Sequence, residues 1–196
     1  LVGALLNVSR LELGTFAVEP EDIDIPEMVE STVMEMTPLS KQKNITVEKE
    51  IEDNLPPMKA DRKLVRIIFQ NLISNAVKYT PNDGTAKVYV GVRKKGDDID
   101  GRILEEDSFL FTVSDTGIGI PEEQKEQIFS KLFRADNARK VATEGTGLGL
   151  YIIKSVVEQN GGQIWFHPNK PSGTTFLVIF PTKGMVKKQG TTSIGG

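Results

Sequence analysis

Residues 71–80 read Asn71-Leu-Ile-Ser-Asn75-Ala-Val-Lys78-Tyr79-Thr80. Asn71, Asn75 and Lys78 are four and three residues apart, which sets all three on one face of a helix. Leu64, Ile67, Ile68, Leu72 and Ile73 surround them, so two carboxamides and an ammonium stand out on an otherwise apolar segment. A carboxamide oxygen can ligate a hard cation without adding negative charge beside a phosphate. A lysine one turn on can meet phosphate oxygens. Tyr79 offers a ring for stacking and a hydroxyl for a polar contact. Taken alone, the pattern equally fits a partly buried helix whose Asn side chains are satisfied within the protein. Asp61 is a good N-cap for this helix, and Pro81-Asn-Asp-Gly84 ends it with turn chemistry.

Outward from this helix, the N-terminal side reads as a helix over Leu1–Leu13 stopped by Gly14. A linker-like stretch follows from Thr15 to Ile25. A helix opened by Pro26 carries Met28, Val29, Val33, Met34 and Met36 and ends near Leu39, and a strand spans Asn44–Ile51. On the C-terminal side, Lys87–Val92 and Phe109–Ser114 read as strands around a polar hairpin tip. A short helix starts at Pro121, and a charged, non-periodic segment from Lys131 to Thr146 reads as a mobile loop. A helix over Leu148–Gln159, stopped by Asn160-Gly161-Gly162, leads to two strands, Gln163–His167 and Thr174–Phe180. Helices and hairpins mix without regular βαβ alternation. The expected class is therefore α+β, a two-layer sandwich with a mixed sheet and helices on one face.

Composition narrows the chemistry. The 196 residues carry 24 Lys+Arg against 27 Asp+Glu, no cysteine and one histidine. The absence of cysteine excludes a disulfide scaffold, a thiolate metal site and a cysteine nucleophile. The mildly acidic balance removes a general pull toward nucleic acid or anionic lipid, so neither is expected as a partner. No apolar run approaches the roughly 18 residues of a membrane helix. The first residue is Leu, so a piece of a longer protein is expected.

Three further segments carry chemistry. In Val113-Ser-Asp115-Thr-Gly117-Ile-Gly119-Ile120-Pro121, a strand ends on a carboxylate that could accept from an exocyclic amine such as that of adenine. The two glycines would let backbone approach a flat ligand; an ordinary Asp-x-Gly turn is the plain alternative. Gly145-Thr146-Gly147-Leu148-Gly149-Leu150 lies directly before a helix, where backbone amides and the helix N-terminus can hold phosphates. It lacks the Gly-Lys-Ser/Thr of a Walker loop, and its late position does not suit a dinucleotide fold. In Ile128-Phe129-Ser-Lys131-Leu-Phe133-Arg134, the two Phe read as core. Lys131 and Arg134 stand at the start of the loop, where closure could bring them to phosphates.

Together and in this order, Asn75 with its flanks, Asp115-x-Gly-x-Gly, the Phe pair and Gly145-x-Gly-x-Gly resemble the N, G1, F and G2 boxes of sensor histidine kinases. Gly173-Thr-Thr-Phe176 resembles the family's last element, and the likeness covers about Pro26 to Pro181. The resemblance implies a Bergerat-type ATP-binding fold of the GHKL superfamily, with ATP and Mg²⁺ under a flexible lid. It implies four domains of use: residues 1–14 as the end of a dimerisation hairpin helix, 15–25 as a linker, 26–182 as the catalytic ATP-binding domain and 183–196 as a flexible tail.

By the same resemblance, Asn75 takes Mg²⁺ and Asn71 assists at the phosphate end. Lys78 and Arg134 hold phosphates in the catalytic step, with Lys131 nearby. Tyr79 lines the base or sugar site, and Phe133, standing where many relatives carry Tyr, is counted with the cofactor-binding residues. Asp115 accepts from the adenine amine beside Gly117, Gly119 and Ile120, and Thr146, Gly147, Leu148, Gly149 and Leu150 wrap the triphosphate. The implied activity is transfer of the γ-phosphoryl group of Mg-ATP to a histidine on a separate hairpin domain, for relay to a response regulator. The implied setting is the cytoplasm, with an inner-membrane anchor on the parent left open, the parent a homodimer and the fragment a monomer. The single histidine, His167, lies outside any His-Glu phosphoacceptor context. Related chaperone, gyrase and mismatch-repair ATPases carry Glu four residues before the metal Asn. Here Asn71 holds that position, and an amide cannot be a general base. A nucleotide-binding module of a degenerate kinase and a GHKL-type ATPase are the alternatives.

Overall fold

A computed structural model describes residues 2–143 and 145–190. The expectations for Leu1, for Glu144 within the charged loop and for the tail from 191 lie outside the described residues. The chain begins with α1 (Val2–Glu12), β1 (Glu21–Ile23), α2 (Ile25–Gln42), β2 (Thr46–Ile51) and β3 (Met58–Ala60). Next come α3 (Arg62–Tyr79), β4 (Thr85–Arg93), β5 (Asp98–Ile99), β6 (Arg102–Ile103) and β7 (Ser108–Asp115). A 3₁₀ turn over Glu122–Gln127, α4 (Asp136–Val141), α5 (Gly149–Gln159), β8 (Gln163–Pro168) and β9 (Thr174–Pro181) complete it.

The main sheet has the order β2-β4-β7-β9-β8. β2 runs parallel to β4 and the remaining pairs are antiparallel, so the sheet is mixed. Alternation on β7 sends Phe109, Phe111 and Val113 to the helical side. There they meet the stripe Leu64, Ile68, Phe69, Leu72, Ile73 and Ala76 of α3, with Phe69 stacked on Phe111 at 4.1 Å between ring centroids. α3 starts as expected at Asp61, whose Oδ1 accepts from Lys63 N and Leu64 N.

The opposite face of the sheet is covered as well. Leu110, Trp165, Leu177 and Ile179 form a second small core with Leu104. The hairpin of β5 and β6 folds over it, with the Arg102 guanidinium 4.8 Å above the Trp165 ring and Trp165 Nε1 donating to Asp100 Oδ2 at 3.2 Å. The sandwich expectation therefore holds, with the addition that the polar insertion between the strands becomes a cover.

The segment read from sequence as a linker, and the described part of the segment read as a tail, residues 183–190, reach the core. Phe16, Val18 and Ile23 are buried in the main core, β1 pairs with β3, and Val18 forms a bridge with Lys188. Met185 is buried there too. Short runs of two or three residues have too little periodicity to read as strands, and only pairing with β3 makes β1 one. α2 also continues to Gln42 through Pro38, past the expected end near Leu39.

Candidate functional site

One end of α3, the exit of β7, the loop holding α4 and the start of α5 enclose a cavity of about 260 Å³. Each wall comes from a local rule already visible in the chain. α3 turns Asn71, Asn75, Lys78 and Tyr79 to one side, and all four line the cavity. β7 ends on Asp115, which is 9% exposed and also lines it. Asp115 Oδ1 accepts from Gly117 N at 2.8 Å and Thr174 N at 3.2 Å. Burial nevertheless pushes the Asp115 carboxyl up to about 6, against the opposing pull of those two N–H groups. A buried, partly satisfied carboxyl at a cavity wall is suited to read a donor such as an amine.

Gly117 is required by close approach. A Cβ there would lie 2.8 Å from Tyr79 O and 2.6 Å from Asp115 Oδ1. The end of α3 and the Asp115 loop thus touch through backbone. Gly149 plays the matching part at the other wall, where a Cβ would lie 2.3 Å from Asn71 Oδ1. Asn71 itself donates from Nδ2 to Ile67 O at 2.8 Å. The first turn of α5 has no side-chain cap, and the N–H of Leu148 just before it donates to Thr146 Oγ1 at 3.3 Å; the N–H groups of the turn and the positive end of the helix dipole lie beside the Gly-rich loop.

Of the residues singled out from sequence, Asn71, Asn75, Lys78, Tyr79, Asp115, Gly119, Ile120, Phe133, Arg134, Thr146, Gly147, Gly149 and Leu150 line this cavity. Three do not. Gly117 supports Asp115 from behind, and Leu148 is a core residue at 1% exposure. Lys131 turns away to pair with Glu12 of α1, its Nζ 5.5 Å from the centroid of the Tyr151 ring, while Tyr151 OH donates to Glu12 Oε1 at 3.0 Å. The Glu12 carboxyl is held below its usual range by those hydrogen bonds from Lys131 and Tyr151. Arg134 lines the cavity but spends its donors on loop carbonyls, Nη1 on Thr143 O at 3.1 Å and Gly145 O at 3.4 Å, with Ala142 O on Nη2. Lys78 lies 5.5 Å from the Tyr79 ring centroid.

The loop also carries more local structure than its sequence suggests. It contains α4, and Asn137 Nδ2 donates to Gly119 O at 2.9 Å and Ile118 O at 3.3 Å. Asp136 is tied to Gln124 by two further bonds. Asn137, Ala138, Thr174 and Phe176 line the cavity and escaped the sequence reading. Thr174 sits inside the recognised Gly173-Thr-Thr-Phe176 run and could have been found by its position. Asn137 carries no local signal, because its partners are nearly twenty residues away in the chain.

Among the described residues, no three His, Cys, Asp or Glu side chains come together as a metal cage. On the α3 wall the oxygen donors are the neutral carboxamides of Asn71 and Asn75, and Asp115 is the one carboxyl lining the cavity among the described residues. That set fits a cation such as Mg²⁺, which keeps water and takes phosphate oxygens, and does not fit a metal bound by protein alone.

Comparison with known proteins agrees with this geometry. The family described as histidine kinase-, DNA gyrase B- and HSP90-like ATPase matches residues 60–184. The circadian input-output histidine kinase CikA of Synechococcus elongatus is 31% identical over 189 residues, covering 95% of this chain and 24% of that protein. Full-length ShkA, solved in complex with AMPPNP, superposes with a TM-score of 0.73 at 25% identity, over 96% of this chain and 36% of ShkA. The catalytic domain of the histidine kinase ThkA superposes with a TM-score of 0.67 at 27% identity, over 84% of this chain and 96% of that domain. ThkA has also been solved in complex with the response regulator protein TrrA. The chain thus spans about a quarter of the length of CikA but nearly all of an isolated catalytic domain.

Proposed function

Because the chain belongs to the histidine kinase-, DNA gyrase B- and HSP90-like ATPase family, we propose that it binds Mg-ATP and transfers the γ-phosphoryl group to a histidine on a helical hairpin. A response regulator aspartate would then receive it. The observation that carries this reading is convergence: Asn75, Asp115, Arg134, Gly147 and Gly149, far apart in the chain, line one cavity. In the proposed assignment, Asp115 accepts from the adenine amine, and Tyr79 and Ile120 border the base. The first turn of α5 and Thr146–Leu150 receive the phosphates. Asn75 would hold Mg²⁺, with Asn71 beside it, and the ion would neutralise phosphate charge.

The chemistry is in-line displacement. A histidine nitrogen forms a bond to the γ-phosphorus as the bond to the β–γ bridging oxygen breaks, and ADP leaves with that oxygen. The protein supplies placement and positive charge from Lys78 and Arg134. For Arg134 to act this way, it must exchange the carbonyls of Ala142, Thr143 and Gly145 for phosphate oxygens. Asn71, standing where a hydrolysing relative needs a base, supports transfer over release to water. Among the described residues, no helix is long and apolar enough to cross a membrane. A cytoplasmic setting, a monomeric fragment and a homodimeric parent complete the proposal.

The test is label transfer from γ-labelled ATP to a separately added hairpin domain bearing its histidine. Transfer that disappears in Asn75→Ala is expected. Steady phosphate release without transfer would instead indicate an ATPase, and tight ATP binding with neither would indicate a binding module.

A further inference from the structure

A helix leaves its last carbonyls without intrahelical partners, and at the end of α3 these carbonyls belong to the turn that presents Lys78 and Tyr79 to the cavity. Each described carbonyl there has a donor. Ala76 O accepts from Thr80 N at 3.1 Å, and Tyr79 O accepts from Ile118 N at 3.2 Å. The other three converge on one side chain from outside the cavity. Lys43, the residue after α2, donates from Nζ to Val77 O at 2.9 Å, to Lys78 O at 2.8 Å and to Thr80 O. An ammonium has three protons, and here three carbonyls take them. Among the described residues, no carboxylate pairs with Lys43. Its charge meets the negative end of the α3 dipole instead. Burial holds the ammonium below its usual range, in keeping with a group withdrawn from water for its hydrogen bonds.

The position matters because two walls of the cavity meet at this turn. Through Tyr79 O and Ile118 N, the α3 end is joined to the loop that follows Asp115, and a Cβ at Gly117 would crowd the same carbonyl. A rotation of the last turn would therefore move Lys78 and Tyr79 relative to Asp115 together. The backbone of Lys43 adds a further tie, since its carbonyl accepts from Asp83 N at 3.1 Å in the turn beyond α3.

We infer that Lys43 is a positioning residue for nucleotide: by holding the carbonyls of Val77, Lys78 and Thr80, it fixes the α3 turn that sets Lys78 and Tyr79 against the Asp115 loop. The inference rests on the nucleotide-binding reading of the cavity and extends it to a residue that does not line it.

The experiment measures binding of a fluorescent ATP analogue, with Mg²⁺, to the whole chain at a temperature where circular dichroism shows each variant folded. Wild type must bind; if it does not, the nucleotide reading fails and this inference falls with it. Lys43→Met keeps the aliphatic stem and removes every donor, and it should weaken binding about tenfold by orphaning three carbonyls. Lys43→Arg, which keeps charge and donors, should restore binding to within about threefold. Lys43→Gln, which retains two donors, is the milder variant should Met prevent folding, and it should fall between them. Lys49→Met, at a surface lysine paired with Glu30, should bind as wild type does. The decisive readout is coupling: in a Lys78→Ala background, Lys43→Met should cost less than in wild type. A Met variant, or a Gln variant in its place, that binds as wild type does while melting earlier would overturn the inference, leaving Lys43 a helix cap. Strictly additive losses with Lys78→Ala would overturn it equally.

Discussion

Asp115 combines two properties that pull against each other. Its carboxyl ionises near pH 6 in the fold, against an ordinary value of 3.8. Between those values the folded chain holds a proton that the unfolded chain has released. Stability contributed by this residue therefore falls as pH rises through that window and stays low above it. The cost is on the order of 2–3 kcal/mol. Asp115→Asn should thus be more stable than wild type at pH 7, with the gap closing toward pH 4 in thermal unfolding series. A gap that does not vary with pH would contradict this origin. The same substitution should weaken ATP binding by about 1–3 kcal/mol, because an amide offers a donor where the adenine amine needs an acceptor. Gain in stability and loss of binding from one atom change is the pattern of a residue kept for its ligand.

At the scale of elements, α1 and the loop around α4 are the informative pieces. α1 buries Val8 and Leu11 in the main core, and Gln159 Nε2 of α5 donates to Leu11 O at 3.1 Å. Leu11→Ala should then cost about 2–5 kcal/mol in denaturant unfolding, as for any core leucine. A loss below about 0.5 kcal/mol, typical of surface sites, would mean that α1 is not part of the folded unit. Around α4, the sequence shows charge without apolar periodicity and so reads as mobile. Its contacts are polar ties that no local pattern reveals: Asn137 to the carbonyls of Ile118 and Gly119, Asp136 to Gln124, Arg134 to its own loop. Asn137→Ala should accelerate limited proteolysis between Lys131 and Thr143 in nucleotide-free protein. An unchanged cleavage rate would show that the other ties suffice.

For the whole molecule, the question is whether the two faces of the sheet melt together. The single tryptophan, Trp165, belongs to the small outer core under the β5–β6 hairpin, whereas the helices cover the other face. Both cores share β7, β8 and β9, so tryptophan fluorescence and far-UV circular dichroism should trace one coincident transition. Separated midpoints would mean that the hairpin cover opens as its own unit. Sequence alone determined the elements with strong local signals: α3 from its N-cap to Tyr79, the long strands, and the two glycine-rich loops. It also singled out Asn75, Asp115 and Gly147, because a helical spacing, a strand-ending carboxylate and a glycine run are each legible within a dozen residues. Tertiary structure alone decided what depends on distant partners. It drew β1 and the segment near Lys188 into the core, turned Lys131 from the cavity to Glu12, and brought Asn137 to the wall. It also set Lys43 beneath α3. A hydrogen bond or ion pair across 30 or 100 residues leaves no periodicity in the chain, and its energy exists only once folding has closed the distance.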